Sequence, residues 1–132
     1  MIIWFVGNSG SGKSTAAKAI VKRCERSIWL DGDAMRKVWP GLGFSKEDRW
    51  EQNMRIARLA SALHSQGFDV VVSSICPYRK LRDEIRELLT DPEVTDGSSV
   101  FPSRCLVDFI FLAGGKEPSE EYPYEGRQPD EG

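Results

Sequence analysis

The sequence predicts an α/β fold, a parallel, doubly wound sheet of about four to five strands between two layers of helices. Three observations predict it. Short apolar runs alternate with longer stretches of helical periodicity, the pattern of strand–helix–strand units. The runs are rich in valine and isoleucine without polar alternation, as in strands covered on both faces. A glycine-rich loop, GNSGSGKST, joins the first run to the first helical stretch. With 132 residues, 40% of them hydrophobic and 29% charged, the chain suits a soluble domain with one core.

The elements follow in order. Residues 2–6 are apolar, too short for a helix and bounded by Gly7, so they read as a buried strand. Residues 13–24 read as a helix, with Ala16, Ala17, Ile20 and Cys24 on one stripe. A second short strand covers 28–30 and ends at Asp31, and Asp33 and Arg36 lie one turn apart in the helix that follows, where Asp33 can serve as N-cap. Ser45 caps a long helix over 46–66, with Asp48 completing a capping box and Gly67 closing it. Its stripe is Ile56, Leu59, Ala60 and Leu63. DVVVSSI, residues 69–75, is the clearest strand, and 79–89 is a helix with Leu81, Ile85, Leu88 and Leu89 inward. Residues 90–104 carry Pro, Gly and Ser and read as an exposed loop, and 105–112 as a fourth strand. The domain thus covers 1–112, and 113–132, rich in Gly, Pro and Glu with little to bury, reads as irregular.

Composition excludes several function classes. A net charge of -2 is no footprint for a nucleic-acid backbone. The opening MIIWFV is too short for a signal-peptide core or a membrane span, which predicts a cytoplasmic protein without membrane contact. Cys24, Cys76 and Cys105 match no disulfide framework or zinc spacing and read as free thiols. His64 has no partner in sequence and reads as a surface or packing residue.

The loop carries the most specific chemistry. Gly7, Gly12, Lys13 and Ser14 fit G-x-x-x-x-G-K-[ST], the pattern that cradles nucleotide phosphates. Across Gly7, Asn8, Ser9, Gly10, Ser11 and Gly12, backbone N–H groups turn toward phosphate oxygens, and Thr15 continues into the helix. Lys13 reaches the outer phosphates, Ser14 offers its hydroxyl to Mg²⁺, and the helix points its positive end at the same anions. ATP and Mg²⁺ are therefore the expected cofactors. Asp31, just past the second strand, can hold Mg²⁺ through water or orient an attacking hydroxyl. In a doubly wound sheet ligands sit beyond the carboxyl ends of the strands. Gly7, Asp31 and Cys76 all fall there.

GNSGSGKST, LDGDAMR (30–36), LGFSKEDR (42–49) and SSICPYRKLR (73–82) together resemble the adenylylsulfate (APS) kinase family in order and spacing, over about residues 1–90. The resemblance implies a P-loop kinase-type, three-layer α/β/α fold. It implies transfer of the γ-phosphate of ATP to the 3′-hydroxyl of adenosine 5′-phosphosulfate, with Mg²⁺. It places Lys13, Asp31 and Asp33 at the reacting groups, Ser14 and Asp31 at the metal, and Arg36 and Arg49 on the acceptor's anionic end. Phe44 stacks on the acceptor base, and Ile75, Cys76 and Pro77 line its pocket. Arg79 and Arg82 either add to the anion site or lie on the solvent face of their helix. Trp39 and Trp50 read as core packing rather than stacking surface. Relatives are commonly dimers, so a homodimer is left open.

The chain departs from the family pattern in four places. Gln52, with Asn53 beside it, stands where the family has an acceptor-binding asparagine. Cys76 replaces a serine. The family's lid motifs after the fourth strand are absent, leaving Lys116, on a Gly-Gly pair, and Tyr122 or Tyr124 as the available replacements. The family's last strand and helix have no counterpart. These departures keep two alternatives open: a kinase for another nucleotide conjugate, such as cytidine diphosphoramidate in capsule biosynthesis, and an ATP-binding protein without catalysis.

Overall fold

A computed structural model describes residues 1–91 and 104–131. In chain order the elements are β1 (Ile2–Val6), α1 (Lys13–Val21), β2 (Ser27–Asp31), α2 (Gly32–Val38), α3 (Lys46–Ser65), β3 (Asp69–Ser73), α4 (Arg79–Leu88), β4 (Thr90–Asp91), β5 (Arg104–Cys105) and β6 (Val107–Phe111). The main sheet has the order β2-β3-β1-β6 and every pairing in it is parallel. Register is fixed by pairs such as Ile2↔Val70, Ile2↔Val107 and Asp31↔Ser73.

Alternation along the strands explains the three layers. Ile2, Trp4, Val6, Val70 and Val72 point to one face, where Ile56, Ala57 and Ala60 of α3 and Leu81 and Ile85 of α4 complete the main core. Phe5 and Val71 point to the other, against Ala17 of α1. Each fully buried valine or isoleucine contributes about 1.5–3 kcal/mol. A strand needing cover on both sides is thus satisfied by helices on both sides, as its uninterrupted apolar character predicts.

Several boundaries differ from the sequence expectation. α1 ends at Val21, with Cys24 in the turn beyond it. The N-cap of α2 is Asp31, whose carboxylate accepts from Ala34 N, so Asp33 falls in the first turn. Ser45 caps α3 by accepting from Asp48 N at 3.1 Å, but the Asp48 carboxylate accepts from Gly43 N at 2.9 Å, two residues before the cap. On α4, Leu81, Ile85 and Leu89 are buried while Leu88 is 41% exposed. The ends of the expected loop 90–104 pair as the antiparallel β4–β5 ribbon, and its interior lies outside the described residues. Cys105 belongs to that ribbon, so the last sheet strand begins at Val107.

Residues 113–131 form no helix or strand and bury little, as expected, Glu131 being the one buried residue among them, but they are tied to the domain by hydrogen bonds. Asn8 Nδ2 donates to Lys116 O at 2.9 Å and to Tyr122 O at 3.2 Å, and Lys116 N donates to Ser9 O at 2.8 Å. Gly114 and Gly115 have φ of 91° and 81°. A Cβ on Gly115 would lie 2.8 Å from Ser9 O, so only glycine permits this approach to the phosphate loop. Farther on, Glu125 Oε1 accepts from Arg79 N, at the uncapped start of α4.

The segment ends in a buried ion pair. Arg82 and Glu131 both have fully buried side chains, with Arg82 Nε 2.7 Å from Glu131 Oε2. Arg82 also donates to Cys76 O and Gly126 O, and Arg86 Nη2 reaches Glu131 Oε2 at 2.6 Å. Burial alone would raise the Glu131 carboxyl, but the hydrogen bonds from Arg82, the Gln128 backbone and Arg86 win and hold it at about 2. Neither sequence reading of Arg82 survives: it is a buried anchor for a carboxylate 49 residues away.

Candidate active site

A cleft of ≈ 340 Å³ opens beyond the carboxyl ends of β1, β2 and β3. One wall is the phosphate loop, through Ser9, Gly10, Gly12, Lys13, Ser14 and Thr15. The other is the start of α2 with Arg36, Phe44 and Arg49. Asp31, Asp33, Gln52 and Ile75 also line it. Gly7, Asn8 and Ser11 belong to the loop but do not line the cleft. A Cβ on Gly7 would lie 2.3 Å from Ser11 Oγ, so the loop closes on itself only because Gly7 has none.

The loop is built for an anion. Its helix is preceded by Gly12 with no side-chain cap and has no acidic residue in its first turn. The first N–H groups of α1 therefore have no local partner of opposite charge. Lys13 Nζ donates to Asn8 O at 3.1 Å, across the loop. Desolvation lowers its pKa, although the carboxylates of Asp33 and Asp31 act the other way. A partly desolvated ammonium is a state that a phosphate oxygen relieves.

The metal candidates meet as well. Ser14 Oγ is 3.4 Å from Asp31 Oδ1. Among the described residues no group of three His, Cys, Asp or Glu side chains could form a metal site by itself. One hydroxyl and one carboxylate beside a phosphate loop suit a hard cation that takes its remaining ligands from phosphates and water, as Mg²⁺ does.

Arg36 and Arg49 bracket Phe44. Their guanidinium carbons lie 4.3 Å and 5.5 Å from the centre of its ring, which is 68% exposed. Arg36 donates to Leu42 O and Gly43 O, and Arg49 Nε to Phe44 O at 2.7 Å. Burial lowers the Arg36 pKa and the like charge of Arg49 lowers it further, against the pull of Asp33 and Asp48. Among the described residues neither arginine has a carboxylate within ion-pair distance. Two neighbouring guanidiniums without a counter-ion are an anion site.

Other expected residues lie elsewhere. Cys76 is fully buried in the core, where desolvation pushes its thiol far up, and neither Cys76 nor Pro77 lines the cleft. Arg79 is outside it too: its guanidinium is held by Asp130 and Asp83, whose hydrogen bonds raise its pKa. Gln52 does line the cleft, but it is 2% exposed, and its amide donates to Gly32 O at 3.0 Å and accepts from Trp39 Nε1, so it braces α2. Trp39 packs on the core and Trp50 stacks on Tyr78 at 5.9 Å, in the packing roles expected. Lys116 Nζ lies 4.8 Å over Tyr122, and Tyr124 packs on the core; none of the three lines the cleft.

Sequence reasoning missed Asn53, Ser73 and Ser74, which do line it. Asn53 donates to Arg49 O and Ile75 O and accepts from Ser74 Oγ, tying the arginine wall to the end of β3. The available signal was two consecutive serines, Ser73 and Ser74, at the end of an otherwise apolar strand.

Comparison with known proteins agrees with this geometry. The sequence model of the adenylylsulphate kinase family matches residues 1–106. The chain is 39% identical over 112 residues to the probable adenylyl-sulfate kinase of Archaeoglobus fulgidus, covering 81% of this chain and 68% of that protein. It is 44% identical over 95 residues to the adenylyl-sulfate kinase of Picosynechococcus sp., covering 67% and 53%. The Mycobacterium tuberculosis APS kinase solved with AMPPNP and APS superposes with a TM-score of 0.60 at 32% identity, over 83% of this chain and 59% of that one. The hexameric APS kinase from Thiobacillus denitrificans gives 0.68 at 28% identity, over 98% and 23%. The chain spans about two thirds of the first curated relative and about half of the second. It belongs to the adenylylsulfate kinase family.

Proposed function

We propose that this chain transfers the γ-phosphate of ATP to the 3′-hydroxyl of adenosine 5′-phosphosulfate. The observation that carries the reading is the pair Arg36 and Arg49, without carboxylate partners among the described residues, facing the phosphate loop across one cleft. The loop and Lys13 hold the donor, and the arginines hold the acceptor's phosphate and sulfate. Phe44 presents an exposed ring to its base. Asp31 and Asp33 flank the space where the acceptor hydroxyl meets the γ-phosphate. Mg²⁺, held by Ser14 and Asp31, would neutralise charge on the phosphates. Catalysis is then positioning and charge stabilisation, with little covalent work for the protein. Residues 1–112 are the kinase domain in this reading, and 113–131 an irregular extension hydrogen-bonded to it.

A panel of acceptors offered with ATP and Mg²⁺ tests the assignment. Turnover with APS, and an APS KM raised at least tenfold in Arg36→Ala and Arg49→Ala at unchanged KM for ATP, is expected. Turnover with cytidine diphosphoramidate and none with APS would reassign the acceptor. ATP binding without transfer to any acceptor would exclude catalysis.

A further inference from the structure

From Asp31 in the cleft a chain of hydrogen bonds leads through Ser73 to Trp29, and the functional reading uses only Asp31. Trp29 Nε1 donates to Ser73 Oγ at 2.7 Å, and Ser73 Oγ lies 2.8 Å from Asp31 Oδ1. The fold places the three side chains together. Trp29 and Asp31 are two apart on β2 and so share a face, and Ser73 is the register partner of Asp31 on β3. Ser73 is 2% exposed, and Trp29 packs beside α1 without lining the cleft.

The direction of the chain is set by chemistry. An indole N–H donates only, so Ser73 Oγ must accept from Trp29. The single hydroxyl proton of Ser73 is then left for Asp31. The other two contacts of the Asp31 side chain, from Ser14 Oγ and Ala34 N, are both 3.4 Å, at the long limit of a hydrogen bond. Among the described residues the Ser73 bond is thus the one short contact that fixes the carboxylate, and Trp29 fixes that bond.

We infer that Trp29 and Ser73 are positioning residues that hold the Asp31 carboxylate toward Ser14 and so set the affinity and geometry of the cation site. This rests on the proposed phosphotransfer for its kinetic consequence but not for its physical content. Groups that orient a metal-binding carboxylate typically matter by 10–100-fold in metal affinity or activity.

Two measurements test it. In the ¹⁵N-labelled protein without nucleotide, Asp31→Asn is expected to move the Trp29 indole N–H resonance and leave the Trp50 indole, which donates to Glu84, in place. An unmoved Trp29 signal overturns the inference, whether or not the protein is a kinase. In turnover assays Trp29→Phe and Ser73→Ala should each lower kcat about tenfold and raise the Mg²⁺ concentration for half-maximal rate, with KM for the acceptor unchanged. The double variant should be no worse than either single one, because both act through one bond. Ser73→Thr, which keeps the hydroxyl, should restore the rate. Additive losses, or a wild-type Mg²⁺ dependence in Trp29→Phe, would overturn it. Absence of turnover in the wild type would count against the phosphotransfer reading alone, with the indole signal still deciding this one.

Discussion

The phosphate loop and the carboxyl-terminal segment 113–131 are built of similar material, glycines and polar residues with few apolar ones. Both are irregular, and they touch each other through Asn8, Ser9 and Gly115. They differ in where their bonds go. The loop closes on itself, as in Ser11 N to Asn8 O and Lys13 Nζ to Asn8 O. The segment closes on distant residues: Lys116 on Asn8, Asp130 on Arg79, Glu131 on Arg82. A structure whose partners lie within a few residues leaves a motif in the sequence. One whose partners lie 49 or 108 residues away does not.

The largest expected effect is on the loop's side of this contrast. Lys13→Ala should cut turnover by about 10²–10³-fold or more while circular dichroism and melting temperature stay close to wild type. Loss of the fold instead would mean the loop is as structural as the segment.

On the segment's side the effect should fall on stability. Glu131→Ala leaves the Arg82 guanidinium buried without its partner, which typically costs about 3–5 kcal/mol, readable by urea denaturation. Replacing both with apolar residues of similar volume should recover most of that loss. The same pair predicts a pH dependence. The Glu131 carboxyl lies at about 2 in the folded protein against an ordinary 4.5, so its folded pKa is depressed. Its stabilisation is fully present above the ordinary value and is lost as pH falls from about 4.5 toward 2. Unfolding free energy measured across that window should fall more steeply for the wild type than for Glu131→Gln.

A smaller change should uncouple the two regions. Gly115→Ala places a methyl against Ser9 O at a left-handed φ, a strain of about 1–3 kcal/mol. The segment should lift from the loop, weakening ATP affinity by calorimetry while the Arg82–Glu131 anchor holds the fold. The smallest effect is expected at Arg79, whose partners Asp83 and Asp130 are well exposed. Arg79→Ala should leave the acceptor KM within about twofold, and exposed pairs of this kind contribute about 0–1 kcal/mol to stability. A large rise in KM would return Arg79 to the acceptor site where its sequence position first suggested it.

Local rules made the fold and most of the cleft legible. The apolar runs at 2–6 and 69–75 had to be covered on both faces, Ser45 had an N-cap's spacing, and G-x-x-x-x-G-K-[ST] named its own ligand class. The illegible parts depend on three-dimensional pairing. Nothing in SSICPYRKLR tells Arg79, which is partly exposed and held by aspartates, from Arg82, which is buried; only the arrival of Glu131 does. Gln52 and Asn53 are adjacent amides, and which one braces α2 is decided by Trp39. Leu88 fits the helical stripe by spacing yet faces outward.

The central claim is the proposed phosphotransfer from ATP to APS in the cleft between the phosphate loop and the Arg36–Arg49 wall. Phosphorus NMR of the wild-type chain incubated with ATP, Mg²⁺ and APS tests it most directly. The account predicts a new 3′-phosphomonoester signal growing as the ATP γ-phosphate signal decays, with the 5′-phosphosulfate intact. Bound ATP that stays undiminished, or decays to inorganic phosphate alone, would contradict it.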